Sequence, residues 1–554
     1  MAVRDRRLAT LAGFVALTVV HTWPLASAPG TWSRADNADA LLNEWILAWV
    51  ARTVFTDPLG LFHANIFFPE PYTLAYSEHL VVQGVLAAPL LWLGASPLLA
   101  HNLVLLAGLI LTGWVTSIVV TRWTGCWTAG LVAGCLVVFN SHTFTRMAHV
   151  QASHAWALPL ALVALDRLLT APRVRRAGAL AAAFTLQALC SGYLLVLTAV
   201  ALVAATLARA SEWIRRDRIV RVAWHLGLAT TMAGVALAPF LWPYAQVRRL
   251  QGLSRTLDEV ARYSAVPGDY LATVSRLHYE WWSHAFFRSD AFFPGALAVV
   301  LALVAIVSGR AWRDPRARML LLMAVAGFAL SLGPAFPPYG VLYQGFPLLE
   351  GIRGAARFGY LVLVGVAGLA GFGTAWIAGR LQARWPSGRP RRLASLALGA
   401  VVVLVNVEAF AAPLHFVRAP GVLSIHRVLA AETNAVVVDL PLPEPGLVSR
   451  NARTVAASTA HWKPLVNGYS GFVPRSYVAH YEALASFPDP STFDALREIG
   501  VTHLVVRLDE VPGAEAALSR RPDVDLIAVE GALRVYRLRP RPDGVTPLSG
   551  SHLC

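Results

Sequence analysis

Charged residues are scarce in this sequence. Only 14% of its 554 residues are Asp, Glu, Lys or Arg, whereas 56% are hydrophobic and the mean hydropathy is +0.54. Because a soluble globular protein carries about 25% charged residues, a purely soluble enzyme, a disordered chain and a collagen-like fibre are excluded. The composition predicts a polytopic α-helical membrane protein.

Lysine and cysteine are also rare. Lys463 is the only lysine among 47 basic residues, and the net charge of +15 comes from arginines in short clusters between apolar runs. Such clusters mark the cytoplasmic loops of membrane proteins, so the charge does not indicate a nucleic-acid partner. The four cysteines have neither metal-ligand spacing nor the pattern of a disulfide framework. They are Cys126, Cys135, Cys190 and Cys554.

Several motifs that would identify a known chemistry are missing. The sequence has no P-loop, no GxGxxG after a strand, no GxSxG, no HExxH and no heptad repeat. No apolar run carries the several buried charges expected of an ion-coupled transporter. The function must therefore be inferred from the loops between the apolar runs.

The apolar runs predict eleven membrane spans. Residues 177–208 count as two of them, because one helix of this length would measure about 48 Å against a hydrocarbon core of about 30 Å. Ser191-Gly192-Tyr193 interrupts this stretch, whereas residues 80–95, with Pro89, read as a re-entrant segment. The other nine spans lie near 8–26, 98–120, 127–140, 153–169, 222–241, 295–309, 319–334, 358–377 and 394–412.

A cytoplasmic N-terminus places the arginine clusters on one side of the membrane. Residues 1–28 also resemble a cleavable signal peptide, and either interpretation leaves residue 29 onward outside. The sequence then divides into a transmembrane domain, 1–412, and a small extracytoplasmic α/β domain, 413–554, which contains four strand-like runs. The outer loops of the transmembrane domain are 29–79, 141–152, 242–294 and 335–357.

The first outer loop, 29–79, contains the most informative polar residues. If a helix begins at Asp39, then Asp39 and Asn43 share one face and Asp36 lies one turn earlier. Two carboxylates at a membrane interface can act as a general base, as metal ligands, or as both. The alternative is that Asp36 is an N-cap and that Asp39 stabilises the helix dipole.

Further candidates lie beside the first outer loop and in the loop 141–152. Glu78 and His79 enter the re-entrant segment and are candidates to meet the aspartate pair, unless they belong to an ordinary solvated loop. Arg146 and His149 have the spacing to bind a phosphate or an acidic partner, although a lone histidine is more often a polar anchor.

Arg353 and Arg357 form a cationic pair on the outer side, before the span 358–377. If the helix extends back to them, they lie one turn apart. Arginine at this position suits a lipid phosphate or pyrophosphate. The alternative is an ion pair with Glu350.

The chain resembles the bacterial C-type membrane glycosyltransferases, the GT-C superfamily, and within it a group of uncharacterised bacterial proteins. The resemblance rests on a cytoplasmic N-terminal end, an acidic motif in the first outer loop and a soluble C-terminal region. The matching stretches are Asp39-Ala-Leu-Leu-Asn-Glu-Trp-Ile-Leu-Ala-Trp49, Ala64-Asn-Ile-Phe-Phe-Pro-Glu70, Thr73-Leu-Ala-Tyr-Ser-Glu-His79, His149-Val-Gln151, Ile352-Arg-Gly-Ala-Ala-Arg-Phe358 and Leu465-Val-Asn-Gly-Tyr-Ser-Gly471.

This resemblance implies transfer of a sugar from a polyprenyl-phosphate donor to a glycan, lipid or protein acceptor outside the bacterial inner membrane. It places the catalytic carboxylate at Asp39, with Asp36 as a partner. Some relatives use a divalent metal such as Mg²⁺ or Mn²⁺, but no clear Asp-x-Asp motif is present here.

The remaining candidates are assigned by their chemistry. We expect the three outer arginines to bind the donor phosphate. We expect the polar residues around the aspartates to bind the substrate. The phosphate-binding candidates are Arg353, Arg357 and Arg146, and the substrate-binding candidates are Asn43, Glu78, His79 and His149. Two other classes stay open: a non-catalytic flippase for a lipid-linked glycan, and a scaffold for envelope assembly that uses residues 413–554.

Overall fold

The computed structural model describes residues 3–252, 255–419 and 421–540, and Cys554 lies outside them. The helices are α1 (Val3–His21), α2 (Ala38–Thr56), α3 (Val81–Trp92), α4 (Pro97–Thr124), α5 (Trp127–Val138), α6 (Ser141–Thr145), α7 (Ala157–Thr170), α8 (Val174–Cys190), α9 (Gly192–Ala208), α10 (Ala210–Trp213), α11 (Ile219–Gln251), α12 (Leu257–Arg262), α13 (Arg276–Tyr279), α14 (Ala296–Val307), α15 (Arg310–Arg313), α16 (Pro315–Ser331), α17 (Tyr339–Gly345), α18 (Pro347–Glu350), α19 (Gly359–Arg384), α20 (Gly388–Ala409), α21 (Ala452–Ala457), α22 (Arg475–Leu484), α23 (Pro490–Ile499) and α24 (Ala514–Ser519). The strands are β1 (Trp32–Ser33), β2 (Val417–Arg418), β3 (Val437–Leu440), β4 (His503–Arg507), β5 (Val524–Glu530) and β6 (Leu533–Leu538).

Each predicted span coincides with one helix. Among the residues that the structure describes, four helices are long and apolar enough to cross a membrane. They are α4, α11, α19 with the turn before it, and α20. Three shorter apolar helices, α3, α9 and α14, accompany them. These features mark the chain as a membrane protein, whereas the number of eleven spans stays a prediction.

The long apolar stretch 177–208 is divided as its sequence predicts. Helix α8 ends at Cys190 and α9 begins at Gly192, with Ser191 in an extended conformation between them. The Ser191 side chain accepts hydrogen bonds from the backbone N–H groups of Tyr193 and Leu194, which caps α9. At the start of α9, Ser191 is buried and Tyr193 is half-buried.

Helix α19 is central to the helical bundle and packs against α5, α14 and α16. Its glycines allow this close packing: a Cβ atom on Gly373 would lie 1.9 Å from the Leu301 carbonyl oxygen, and one on Gly365 would lie 2.7 Å from the Leu320 carbonyl oxygen. Small residues of this kind let helix backbones approach closely. The residues just before α19, Ala355–Phe358, pack against α16.

The C-terminal region contains a four-stranded sheet of order β3-β4-β6-β5. Strands β3 and β4 are parallel, and the other two pairings are antiparallel. The four strands coincide with the four strand-like runs of the sequence, and α23 precedes β4. The boundary at residue 412 and the extracytoplasmic position of this region stay predictions.

The C-terminal region is bound to the first outer loop by backbone hydrogen bonds. Phe67 N donates to Asn467 O (3.1 Å), Phe68 N donates to Leu465 O (2.9 Å), and Leu465 N donates to Asn65 O (2.7 Å). A second link is the antiparallel pair of β1 and β2. Because of these links, a residue of the C-terminal region can contribute to a site in the first outer loop.

Candidate active site around Asp39

Asp39 lies in the first turn of α2. The N-cap is Asn37, whose side chain accepts a hydrogen bond from Asp39 N (2.9 Å); the alternative that Asp36 caps this helix is wrong. Asp36 is instead paired with Arg34 at 3.1 Å and with His415 at 3.5 Å. The two aspartates therefore have different partners, since neither Arg34 nor His415 is bonded to Asp39.

The Asp39 carboxylate binds one partner with each oxygen atom. His149 Nε2 lies 3.1 Å from Oδ2, and the Tyr469 hydroxyl donates to Oδ1 at 2.6 Å. Burial raises the pKa of Asp39, but the two hydrogen bonds and the charge of Arg357 outweigh burial and lower it to about 2. Asp39 is thus ionised at neutral pH, and its side chain remains 39% exposed, so a substrate can reach it.

His149 is oriented by Asp39. Burial is the largest effect on the pKa of His149 and lowers it despite the Asp39 carboxylate, so the imidazole is neutral at pH 7. An ionised carboxylate favours the tautomer in which Nε2 donates the hydrogen bond. Of the two partners predicted for His149, a phosphate or an acidic group, the described residues supply the second, Asp39.

Tyr469 is a site residue that the sequence reasoning did not name. It lies 430 positions after Asp39, and the hydrogen bonds between residues 65–68 and 465–467 bring its segment to the first outer loop. Burial, followed by the neighbouring carboxylate, raises the pKa of the Tyr469 hydroxyl, so it remains a hydrogen-bond donor. The signal that could have found it is the stretch Leu465–Gly471, which is part of the resemblance.

Replacing Tyr469 by Phe tests its contribution. A hydrogen bond to a charged group is worth about 1.5–3 kcal/mol, and partial exposure of Asp39 reduces this value. We expect Tyr469→Phe to lower the rate of the reaction at Asp39 about tenfold. The matched control is Tyr477→Phe, because the Tyr477 hydroxyl is bonded to Pro443 O and Asn451 in the same region and does not contact Asp39. Equal losses in the two variants would contradict a specific role for Tyr469.

A cavity that is open to solvent lies beside His149. The loop after α5, the N-terminus of α9 and the residues before α19 surround it. The lining residues are His142, Arg146, His149, Gln151, Ala152, Ser191, Tyr193, Leu194, Leu197, Arg357 and Tyr360.

Arg357 places a positive charge at the wall of this cavity. Its guanidinium carbon lies 3.6 Å from the centroid of the Tyr193 ring, a cation–π contact. Within the described part of the chain, Arg357 makes no ion pair with a carboxylate, although its charge acts on Asp39 and Glu78. A cation without a paired carboxylate is available to an anionic ligand.

Arg353 occupies a different position. It stacks over Tyr263 at 4.7 Å and its charge acts on Tyr469, but it does not line the cavity. The expectation that Arg353 and Arg357 lie one turn apart on a helix is wrong, because no helix extends through residues 351–354. The alternative ion pair with Glu350 is wrong as well, since Glu350 is paired with Arg248 at 2.6 Å.

Arg146 lines the cavity and is paired with Asp290 at 2.5 Å. Asp290 belongs to the loop 242–294 and is mostly buried. This carboxylate neutralises the charge of Arg146, so the two arginines of the cavity differ in their electrostatics. The sequence reasoning named Arg146 without its partner, because Asp290 is 144 positions away.

The remaining predicted substrate residues surround the site without lining the cavity. Asn43 is buried and donates to the Ala148 carbonyl oxygen at 2.9 Å, which fixes the residue beside His149. Glu78 accepts a hydrogen bond from Gly192 N at 2.7 Å. Burial raises the pKa of the Glu78 carboxyl. His79 is buried against the rings of Phe240 and Tyr244 and is not brought to Asp39.

The groups around Asp39 do not suit a divalent cation. Mg²⁺ and Mn²⁺ prefer several oxygen ligands, whereas both oxygens of Asp39 accept hydrogen bonds and Arg357 adds positive charge. Within residues 3–252, 255–419 and 421–540, no group of three or more His, Cys, Asp and Glu side chains could hold a metal ion. We therefore derive no chemical step through a metal.

The fold is similar to those of solved membrane enzymes. The arabinofuranosyltransferase AftD from Mycobacteria matches with a TM-score of 0.61 at 15% identity, over 97% of this chain and 40% of that one. The oligosaccharyltransferase of Archaeoglobus fulgidus matches in its apo form with a TM-score of 0.52 at 12% identity, over 92% of this chain and 70% of that one. Its complex with an inhibitory peptide and a dolichol-phosphate gives a TM-score of 0.50 at 12% identity, with the same coverage.

These similarities establish the fold of the chain. It has the fold of the GT-C membrane glycosyltransferases. The chain spans about 40% of the length of AftD. No protein-family model and no curated protein matches its sequence.

Proposed function

We propose that this protein is a membrane glycosyltransferase that moves a sugar from a polyprenyl phosphate to a hydroxyl group of a glycan, lipid or protein acceptor. The observation that carries the proposal is the ionised, partly exposed Asp39 beside a cavity with the unpaired cation Arg357. The fold agrees with this proposal, and the archaeal oligosaccharyltransferase of the same fold binds a dolichol-phosphate. We place the reaction on the extracytoplasmic side of a bacterial inner membrane, with the N-terminus in the cytoplasm.

In the proposed reaction the acceptor oxygen attacks the anomeric carbon of the sugar with inversion. The new C–O bond forms while the bond between the anomeric carbon and the phosphate oxygen breaks, and its electron pair leaves with the polyprenyl phosphate. Asp39 takes the proton of the acceptor hydroxyl. A carboxylate of low pKa is sufficient here, because the hydroxyl becomes strongly acidic as its oxygen bonds to carbon.

Arg357 contributes to the departure of the leaving group. Negative charge develops on the phosphate as the glycosidic bond breaks, and a fixed cation in a site of low dielectric constant stabilises that charge. The cation–π contact with Tyr193 holds the guanidinium in place before the donor binds. His149 and Tyr469 hold the Asp39 carboxylate in place through one contact with each of its oxygen atoms.

The proposal is tested with purified protein in proteoliposomes that contain polyprenyl phosphates linked to mannose, glucose or arabinofuranose. A glycosyltransferase is expected to transfer the sugar to an added acceptor, or to hydrolyse the donor slowly without one. Movement of the donor between leaflets without loss of its sugar would instead identify a flippase and would overturn the proposal.

A further inference from the structure

Two arginines line the cavity beside His149, and their charges are balanced differently. Arg357 carries a positive charge with no paired carboxylate among the described residues and lies over the Tyr193 ring. Asp290 neutralises Arg146 through a contact of 2.5 Å. A phosphate is attracted to Arg357, whereas the pair of Arg146 and Asp290 presents no net charge.

The side chains of the loop 141–152 that line the cavity with Arg146 are uncharged at neutral pH. Burial lowers the pKa of His142, and its ring packs against the rings of Phe292 and Tyr360. Gln151 carries no charge at any pH, and only 6% of its surface is exposed. The loop 141–152 therefore suits a polar but neutral ligand.

Unpaired polar atoms are concentrated on the loop 141–152, which lines the cavity. His142 Nδ1, Arg146 Nε, His149 Nδ1 and Gln151 Oε1 are buried without a hydrogen-bond partner, and all four side chains line the cavity. A buried polar group without a partner costs about 1–3 kcal/mol, and such groups are few in folded proteins. Four of them within ten residues indicate a ligand that satisfies them.

The identity of these atoms restricts the ligand. Gln151 Oε1 can only accept a hydrogen bond, and Arg146 Nε can only donate one. An ionised phosphate offers acceptors alone, so it leaves Gln151 Oε1 without a partner. A sugar hydroxyl both donates and accepts, and a sugar carries several hydroxyls on one ring. A carbohydrate can therefore satisfy both kinds of atom.

We infer that the loop 141–152, supported by Asp290, binds the hydroxyl groups of the transferred sugar, while Arg357 binds the phosphate that carries it. This inference rests on the proposed function. It removes Arg146 from the set of phosphate ligands that its sequence position predicts, because its charge is already paired. Gln151 is the residue that distinguishes a sugar-linked phosphate from a free one.

Binding measurements distinguish the contribution of the loop 141–152 from that of Arg357. The probes are a short-chain polyprenyl phosphate and its mannosyl, glucosyl and arabinofuranosyl derivatives, titrated onto the protein in nanodiscs. Loss of one neutral hydrogen bond corresponds to about a two- to tenfold change in affinity. We therefore expect Gln151→Ala to weaken the best glycosylated probe about fivefold and to leave the free polyprenyl phosphate unchanged.

A second variant is expected to strengthen the binding of free polyprenyl phosphate. Asp290→Asn removes the carboxylate that neutralises Arg146, so the affinity for the free polyprenyl phosphate is expected to rise severalfold while the preference for the glycosylated probe falls. The control is Gln251→Ala, because Gln251 is bonded to Glu70 and does not line the cavity. It should leave the ratio of the two affinities unchanged.

The inference and the proposed function fail in different ways. If Gln151→Ala weakens both kinds of probe equally, or if the protein binds no glycosylated probe more tightly than free polyprenyl phosphate, the sugar-binding loop is overturned. The transfer assay in proteoliposomes, which does not depend on this ratio, decides the proposed function separately.

Discussion

Asp39→Asn is expected to lower the rate of glycosyl transfer by about 10³-fold, within the range of 10²–10⁴ that a positioned general base contributes. The amide keeps the size of the side chain and can still interact with His149 and Tyr469, but it cannot take a proton. Binding of polyprenyl phosphate should change little, because the phosphate interacts with Arg357. The measurements are initial rates of transfer in proteoliposomes and, separately, titration with polyprenyl phosphate.

Asp36→Asn is the matched control for this experiment. The substitution is the same and lies three positions earlier, but Asp36 is bound to Arg34 and His415. Breaking an exposed ion pair costs about 0–1 kcal/mol, so activity should stay within about threefold of the original. A loss as large as that of Asp39→Asn would restore Asp36 as a catalytic partner. Full activity of Asp39→Asn would remove Asp39 from that role.

The helical architecture could be predicted because a bilayer requires long apolar runs. All the predicted spans coincide with helices, and the break at Ser191 was predictable because residues 177–208 exceed the thickness of the hydrocarbon core. The apolar runs do not settle how many of these helices cross the membrane. Several helices, such as α5 and α14, are shorter than a full crossing.

The candidate site was only half predictable. Asp39, His149 and Arg357 stand in polar segments between apolar runs, where unusual residue types attract attention. Tyr469 and Asp290 were not found in this way, because each meets its partner in the site more than a hundred positions away along the sequence. Only the folded chain brings these segments together: backbone hydrogen bonds join residues 65–68 to 465–467, and Ser141 is bonded to Thr273 and Val274.

The pair Arg353 and Arg357 shows how spacing can mislead. A separation of four residues places two side chains on one face only where the backbone is helical. Gly351 and Gly354 lie in a segment that is not helical, and a short 3₁₀ turn begins only at Ala355. The two guanidiniums therefore stack on different tyrosines, and only that of Arg357 lines the cavity.

Arg357→Lys is expected to weaken binding of polyprenyl phosphate about 10- to 100-fold, equivalent to about 1–3 kcal/mol. A guanidinium is planar, can bind two phosphate oxygens at once and stacks on an aromatic ring, whereas an ammonium group does none of these equally well. At Arg357 both properties are used, because the group lies 3.6 Å from the Tyr193 ring and faces the cavity. Titration of polyprenyl phosphate onto the protein in nanodiscs measures the change in affinity.

The control for this last experiment is Arg353→Lys, which makes the same substitution in the neighbouring arginine. Arg353 also stacks on a tyrosine, at 4.7 Å from Tyr263, but it does not line the cavity. We expect its variant to bind polyprenyl phosphate within about threefold of the original affinity, a loss below about 1 kcal/mol. Similar small losses in both variants would show that Arg357 supports the loop before α19 and does not bind the phosphate. Similar large losses would return Arg353 to the phosphate site, where its sequence position first placed it.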